Sequence, residues 1–355
     1  MRILIDIGHP GHVHLFRPFA YKMMEKGHEI FFTCRQKEFE IDLLEQAGFK
    51  YKTFGKKFKT TLGKMIGLIK FDLLEIITAV KFKPDIFLSH GSPYAAHAAF
   101  FLRKINISLE DTGNKEQVKL YLPFTKHVLT SFSFHENYGS KQIRYNSFHE
   151  LAYLHPNYFS PDVSVLKELG LSKEDRFFFL RFISWNASHD VGQNGLTYKE
   201  KKELVEYLSQ KGRVIISSEK ELPEEFKKYQ FKLHPAKVHH VMNYATLFIG
   251  EGATMASECA VMGVPAIYIN SMEAGTINEL EQHGMLFHFR NGNGVLQKTR
   301  SLIEDPQLKS IMKLKQQQLL NDKIDLTAFM LWFIGNYPQS VKTIQSDPDF
   351  SNQFH

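Results

Sequence analysis

Apolar positions in the first third of the chain alternate between two periods. Ile3, Leu4, Ile5 and Ile7 form a short β-rich run, and Gly8-His9-Pro10-Gly11 breaks it. Leu15, Phe19, Met23 and Met24 then recur on one helical stripe until Gly27 stops the helix. Residues 29–33 read as the next strand, which makes the opening a β-α-β unit, since parallel strands need such a crossover. A second stripe, Leu62, Ile66, Ile69, Leu73, Ile77 and Val80, predicts a long helix before Pro84 and a strand over 85–90. Ser92-Pro93 pairs an N-cap with proline at the first helical position and opens a helix through Arg103. Residues 106–109 and 127–130 read as further strands.

From about 138 to 173 the periodicity fades, with Pro156 and Pro161 in the stretch. It restarts with strands over 176–183, 213–217, 246–250 and 265–269 and helices over 197–210 and 254–262, with a loop over 184–195. The expected architecture is α/β, with two Rossmann-like doubly wound domains facing across a cleft, 1–165 and 166–335, and a polar tail over 336–355 that frays from Gln345. Ligands of such sheets bind at the carboxyl ends of the strands.

Composition narrows this picture. The 355 residues suffice for two ordinary domains, and 43% hydrophobic against 23% charged residues excludes disordered, collagen-like and disulfide-scaffold classes. Cys34 and Cys259 are isolated thiols, which fits a reducing cytoplasm. The run after Met1-Arg2 is too short for a secretory core, and no stretch of 18 apolar residues occurs. The net charge of +6 admits an anionic partner without naming one. That charge is dispersed and no nucleic-acid-binding motif is present, so no nucleic acid partner is expected.

Two strand-to-helix junctions carry the candidate chemistry. In the first, Gly8 and Gly11 let the backbone approach a ligand, the helix start behind them suits an anion, and His9, His12 and His14 crowd the turn. Histidine exchanges protons near neutral pH, so His12 and His9 are candidate acid–base groups; the competing reading is a turn whose rings only hydrogen-bond the backbone. His12 and His14 lie two apart with no carboxylate beside them, so no metal site is expected. The spacing departs from the dinucleotide fingerprint, which disfavours a nicotinamide enzyme. Glu110-Asp111 ends a strand, where Asp111 serves either as base or acid or as a helix N-cap. The second junction runs from Gly250 to Glu258: small residues suit a phosphate at the helix start, and Glu258 suits a ribose diol, unless it merely favours the helix dipole. Arg181, Ser184 and Ser218 lie at or just beyond strand ends of the same half, with Arg181 suited to a diphosphate.

Lys56, Lys57, Lys59, Lys64 and Lys70 interleave with Phe58, Leu62, Met65 and Ile66. One reading is a peripheral membrane contact through 56–70. The preferred one is a core helix with a solvated lysine edge, because the apolar stripe continues well past the lysines.

The run from Gly252 to Glu258, continuing through Met262-Gly263-Val264-Pro265, resembles the donor-nucleotide motif of GT-B glycosyltransferases, and Gly11-His12-Val13 resembles the first loop of the peptidoglycan N-acetylglucosaminyltransferase. Taken with Ser89-His90-Gly91-Ser92-Pro93 and Asp111-Thr112, the chain through about Phe289 is similar to domain-of-unknown-function family 354, placed with the GT-B fold and the UDP-N-acetylglucosamine 2-epimerases. The resemblance implies that Glu258 holds ribose hydroxyls, that Gly252, Ala253 and Thr254 face a diphosphate, and that His12 lies on the acceptor side. The transferase threonine falls one position later, where this chain has Met255. The implied activity is metal-independent transfer from a UDP-linked sugar, a substrate rather than a cofactor, to a sugar or lipid-linked acceptor. The alternatives are a 2-epimerase or hydrolase on the same fold and a non-catalytic binder.

Overall fold

The structure is a computed structural model that describes all residues except 57, 59, 184–194 and 219, and the side chains of 61, 62 and 64. The chain divides into two structural units, Met1–Tyr153 with Lys323–His355, and Leu154–Asp322.

The first unit is built on a seven-stranded sheet: β1 (Arg2–Ile7), β2 (Glu29–Gln36), β3 (Tyr51–Lys56), β4 (Ile86–His90), β5 (Ile105–Glu110), β6 (His127–Ser131) and β7 (Gln142–Tyr145). All pairings are parallel, in the order β3-β2-β1-β4-β5-β6-β7. Strands β4 and β6 are buried at every position, as expected where helices cover both faces of a parallel sheet. The order reverses between β1 and β4, and that reversal opens a crevice at the carboxyl ends of the strands.

The second unit carries β8 (Phe177–Phe182), β9 (Arg213–Ser218), β10 (Leu247–Gly250), β11 (Ala266–Ile269) and β12 (Leu286–Phe289), again all parallel, in the order β12-β11-β10-β8-β9. Its reversal lies between β8 and β10. The doubly wound α/β expectation therefore holds for both units.

Three expectations change. The division falls at 153/154 rather than 165/166, and residues 323–355 return to the first unit instead of forming a tail. The return is fastened by hydrogen bonds: Ser147 Oγ donates to the Ile324 carbonyl at 2.7 Å, Thr327 Oγ1 to Ala152 at 2.8 Å, and Lys323 Nζ to Asn146 Oδ1 at 2.8 Å. The end does not fray: Gln339–Ser346 is helical, and Phe350 and Phe354 pack on Trp332 at 4.8 and 5.4 Å between ring centroids. From Ile66 to Val80 the stripe of helix Thr61–Phe82 does not face the core, and the Leu62 side chain lies outside the described residues. Ile69 is 65% exposed, while Phe71, Glu75 and Ala79 point inward, and Ile76 and Phe82 pack on a cluster containing Leu4, Phe87 and Ala95. The small alanines of the neighbouring helix Pro93–Phe101 are the reason: they let the two helices approach along the face that carries Ala79.

Candidate functional site

In the first unit, four strand ends bring titratable groups together at the reversal. Helix Pro10–Glu25 starts directly after β1. His9 is its N-cap, with Nδ1 accepting from the Gly11 amide at 3.1 Å. The Gly8 amide donates to His12 Nδ1 at 3.2 Å. That bond places the proton of the neutral His12 ring on Nε2, so the ring presents a donor. His12 stacks on His90, at the end of β4, with centroids 4.4 Å apart. His14 is buried on another side of the helix and stacks on Tyr153 at 5.6 Å, so His12 and His14 do not converge.

Asp111, directly after β5, bridges two histidines: Oδ1 lies 2.9 Å from His90 Nε2, and Oδ2 lies 2.9 Å from His149 Nδ1. His149 follows β7. Both rings are buried and the aspartate is partly exposed. Burial works against charge on all of these groups, and the pairing overrides it for two of them. His90 is depressed by burial but lifted further by Asp111, to about 9. Burial would raise Asp111, yet His149 and His90 hold it well below the usual carboxylate range. His12 has no such partner: burial pushes it well down, and the neighbouring His90 and His9 push the same way, so it is neutral at physiological pH. In a neutral His149 that donates Nδ1–H to Asp111, Nε2 is bare, and that atom is buried without a hydrogen-bond partner.

Glu110 positions the loop that carries Asp111. Its Oε1 accepts from the amides of Asp111, Thr112 and Gly113 at 3.1, 2.8 and 3.0 Å and from Thr112 Oγ1 at 2.7 Å, and its Oε2 accepts from Tyr121 OH at 2.6 Å. Gly91 passes beside it with φ +58°, and a Cβ there would meet Oε2 at 3.1 Å, so only glycine suits this turn. Below the crevice, fully buried Asp6 accepts from Arg35, Thr33 and Ser92. Arg35 also donates to the Ile7 carbonyl at 3.0 Å, tying β2 to the end of β1.

The donor atoms of His90, Asp111 and His149 lie within 4.8 Å of one another, near enough for a cation. As they stand, one nitrogen of each ring pairs with one oxygen of Asp111, and the group forms a His–Asp–His relay.

In the second unit, helix Ala253–Val261 starts at Gly252 with no side-chain cap, and a Cβ at Gly252 would meet nothing within 4 Å. Thr254 is exposed at this helix start. The first amides of the helix thus face an open position, the arrangement that suits a phosphate. Glu258, one turn further on, is buried, with Oε1 2.9 Å from His239 Nε2. Arg181 Nη1 donates to Ser217 Oγ at 2.9 Å across β8 and β9. Glu251 accepts from the amides of Ile183 and Leu196 at 2.8 and 3.1 Å and lies 2.8 Å from the buried Lys201 ammonium. It holds both ends of the segment containing Ser184, which lies outside the described residues.

A family model described as protein of unknown function (DUF354) matches residues 1–331. The chain belongs to the DUF354 family. No curated protein matches it. Among solved structures, this DUF354 chain is similar to S. aureus MnaA solved with UDP, at 14% identity and TM-score 0.67, covering 96% of this chain and 98% of that one. It is similar to the UDP-GlcNAc 2-epimerase of Neisseria meningitidis bound to UDP-GlcNAc, at 12% identity and TM-score 0.63, covering 88% and 94%. It also resembles the spinosyn forosaminyltransferase SpnP, at 12% identity and TM-score 0.63, covering 96% and 99%. At these identities the likeness establishes the fold, which is GT-B.

Among the residues singled out in the sequence, the DUF354 structure groups His9, Gly11, His12 and Asp111 in the first unit. It places Arg181, Ser218, Gly252, Ala253, Thr254 and Glu258 in the second. Sequence reasoning gave no role to His149, which sits in the aperiodic stretch after β7. It gave little weight to His239, whose ring position beside Glu258 only folding reveals. His90 was legible as a strand-end residue.

Proposed function

We propose that this chain is a metal-independent sugar-nucleotide glycosyltransferase. The donor, a UDP-linked sugar, lies on the second unit, and an acceptor hydroxyl is activated on the first. The diphosphate sits at the helix start 252–254 with Arg181 alongside, and the Glu258–His239 pair receives the ribose hydroxyls. His149, oriented by Asp111, takes the hydroxyl proton at Nε2 when the bound acceptor gains access to that buried nitrogen, and neutral His12 donates from Nε2 to an oxygen of the reacting sugars. Attack of the resulting oxygen on the anomeric carbon breaks the bond to the diphosphate, whose charge the helix start stabilises. No cofactor is needed for this chemistry. Synthesis of surface polysaccharide or glycolipid, in the cytoplasm at the inner face of the membrane, is the setting we assign.

The observation that carries this reading over a 2-epimerase or hydrolase is the state of the two carboxylates. Abstraction of a carbon-bound proton requires a strong base, and Asp111 is held well below the usual range by two histidines. Glu110, which burial would raise, is lowered by His90 and by its hydrogen bonds with Tyr121, Thr112 and Gly113. Epimerisation stays the second reading because the fold is shared with structures that bear that name.

Calorimetry against a panel of nucleotides should give saturable binding of UDP and a UDP-sugar that persists in EDTA. Mass spectrometry should then show sugar transfer without solvent deuterium at carbon 2. Deuterium at that carbon would assign the epimerase, and absence of any nucleotide-sugar binding would remove the proposal.

A further inference from the structure

Helix Thr61–Phe82 has two apolar faces, and only one is covered. On the other, Ile66, Ile69, Leu73, Ile77 and Val80 recur at helical spacing and are all more than half exposed. The face continues onto the neighbouring helix Pro93–Phe101, where Phe100 and Phe101 are 65% and 70% exposed. It ends at the turn Leu122–Phe124, where Phe124 packs on Phe100 with ring centroids 5.2 Å apart. These exposed apolar residues thus lie on two helices of the first unit that pack side by side and on the turn beside them, more than scattered surface apolar residues would give.

Its rim is mostly basic, with Asp85 and Glu116 as exposed acids near its ends. Lys70, Lys81 and Lys83 border the stripe, and Arg103 and Lys104 follow the two phenylalanines, all exposed. The acids of helix Thr61–Phe82 do not reach the outer face: Asp72 Oδ2 lies 2.9 Å from His97 Nδ1, and Glu75 is fully buried. Glu116 is the single acid on segment 115–126, against Lys115, Lys119 and Lys126. A second copy of the chain docked on this face would bring two mostly basic rims together, with too few acids to meet the lysines. A surface of anionic lipid headgroups meets the rim with opposite charge and accepts the apolar stripe below it.

We infer that this face, helix Thr61–Phe82 with Phe100, Phe101 and Phe124, docks the first unit on an anionic bilayer without spanning it. Among the described residues, no helix is long and apolar enough to cross a membrane. The face extends beyond the 56–70 stretch suggested by the lysines alone, and the inference does not rest on the sugar-nucleotide reading.

The test uses the full chain and vesicles of phosphatidylcholine with about one-third phosphatidylglycerol, set against phosphatidylcholine alone. Wild-type protein should co-sediment with the anionic vesicles, and raising the salt should weaken binding. The double variant Ile69→Glu/Leu73→Glu, at exposed positions, should lower the partition coefficient by about tenfold or more with an unchanged melting temperature. Lys70→Glu/Lys81→Glu should erase the preference for anionic over neutral vesicles. Equal partitioning of wild type and the apolar-face variant, or no vesicle binding by wild type, overturns the inference. So does a wild-type dimer in light scattering that the apolar-face variant converts to monomer, because the face would then belong to a second copy. Calorimetry with UDP on the same variants keeps the two proposals separate: nucleotide binding should be unaffected.

Discussion

Replacing Asp111 by Asn removes the charge that organises the crevice while keeping the side chain's shape. In the wild-type protein His90 is lifted from 6.5 to about 9 by this carboxylate, against the pull of burial. A difference of that size corresponds to about 3 kcal/mol of preference for the charged ring, an upper bound for a pair coupled this closely. In Asp111→Asn the favourable charge is gone and burial remains, so His90 should titrate at or below 6.5. The sign of the linked stability follows. A group raised in the folded state contributes fully below its unfolded value of 6.5, and the contribution is lost as pH rises through about 9. Asp111 is depressed, so its own contribution is present above 3.8 and lost as pH falls through its lower folded value. Wild-type stability should therefore decline between pH 6.5 and 9, by up to about 3 kcal/mol from this pair, and the variant should lack that decline. Two assays read it: NMR titration of histidine rings with each histidine assigned, and urea denaturation at pH 6 and pH 9.5. A wild-type His90 that titrates near 6.5, or one whose titration is the same in the variant, would refute the relay.

Three further outcomes follow from the same geometry. Arg35→Leu strips the buried Asp6 of its cation and should cost about 3–5 kcal/mol in urea denaturation; a loss below about 1 kcal/mol would contradict the weight given to this buried pair. Glu75 is raised well above 4.5, by burial first and by Asp6 second, so the folded protein keeps it neutral and wild-type stability should fall as pH rises above 4.5. Glu75→Gln should remove that fall, gaining on the wild type by about 1.4 kcal/mol per pH unit until the folded carboxyl ionises, and a constant difference from pH 5 to 8 would contradict this. Glu258→Gln keeps the contact with His239 but not the charge, and should weaken UDP binding about tenfold in calorimetry with little change in melting temperature; unchanged affinity would remove Glu258 from the nucleotide site.

The sequence by itself determined the fold class, because the layer architecture is written in local periods. The apolar run at 3–7, the helical stripe that follows, and the glycine and proline stops recur often enough to require parallel sheets in both halves. It also marked the two strand-to-helix junctions, since a glycine-rich turn before a helix start is a local feature. What it left open depends on contacts far apart in the chain. Whether the 62–80 stripe faces inward is decided by which side of the helix meets the alanines of helix Pro93–Phe101, and a periodic pattern has no means of naming its partner face. The strands β3, β7 and β12 escaped because their four to six residues are only partly buried and carry no long apolar run. His149 joins Asp111 only because β7 lies two places from β5 in the sheet order, and that order is set by crossovers rather than by any neighbouring residue. The proton states at the crevice belong to the same category: a histidine ring is neutral, charged or bare at one nitrogen according to the carboxylate or amide that folding brings within 3 Å or so of it.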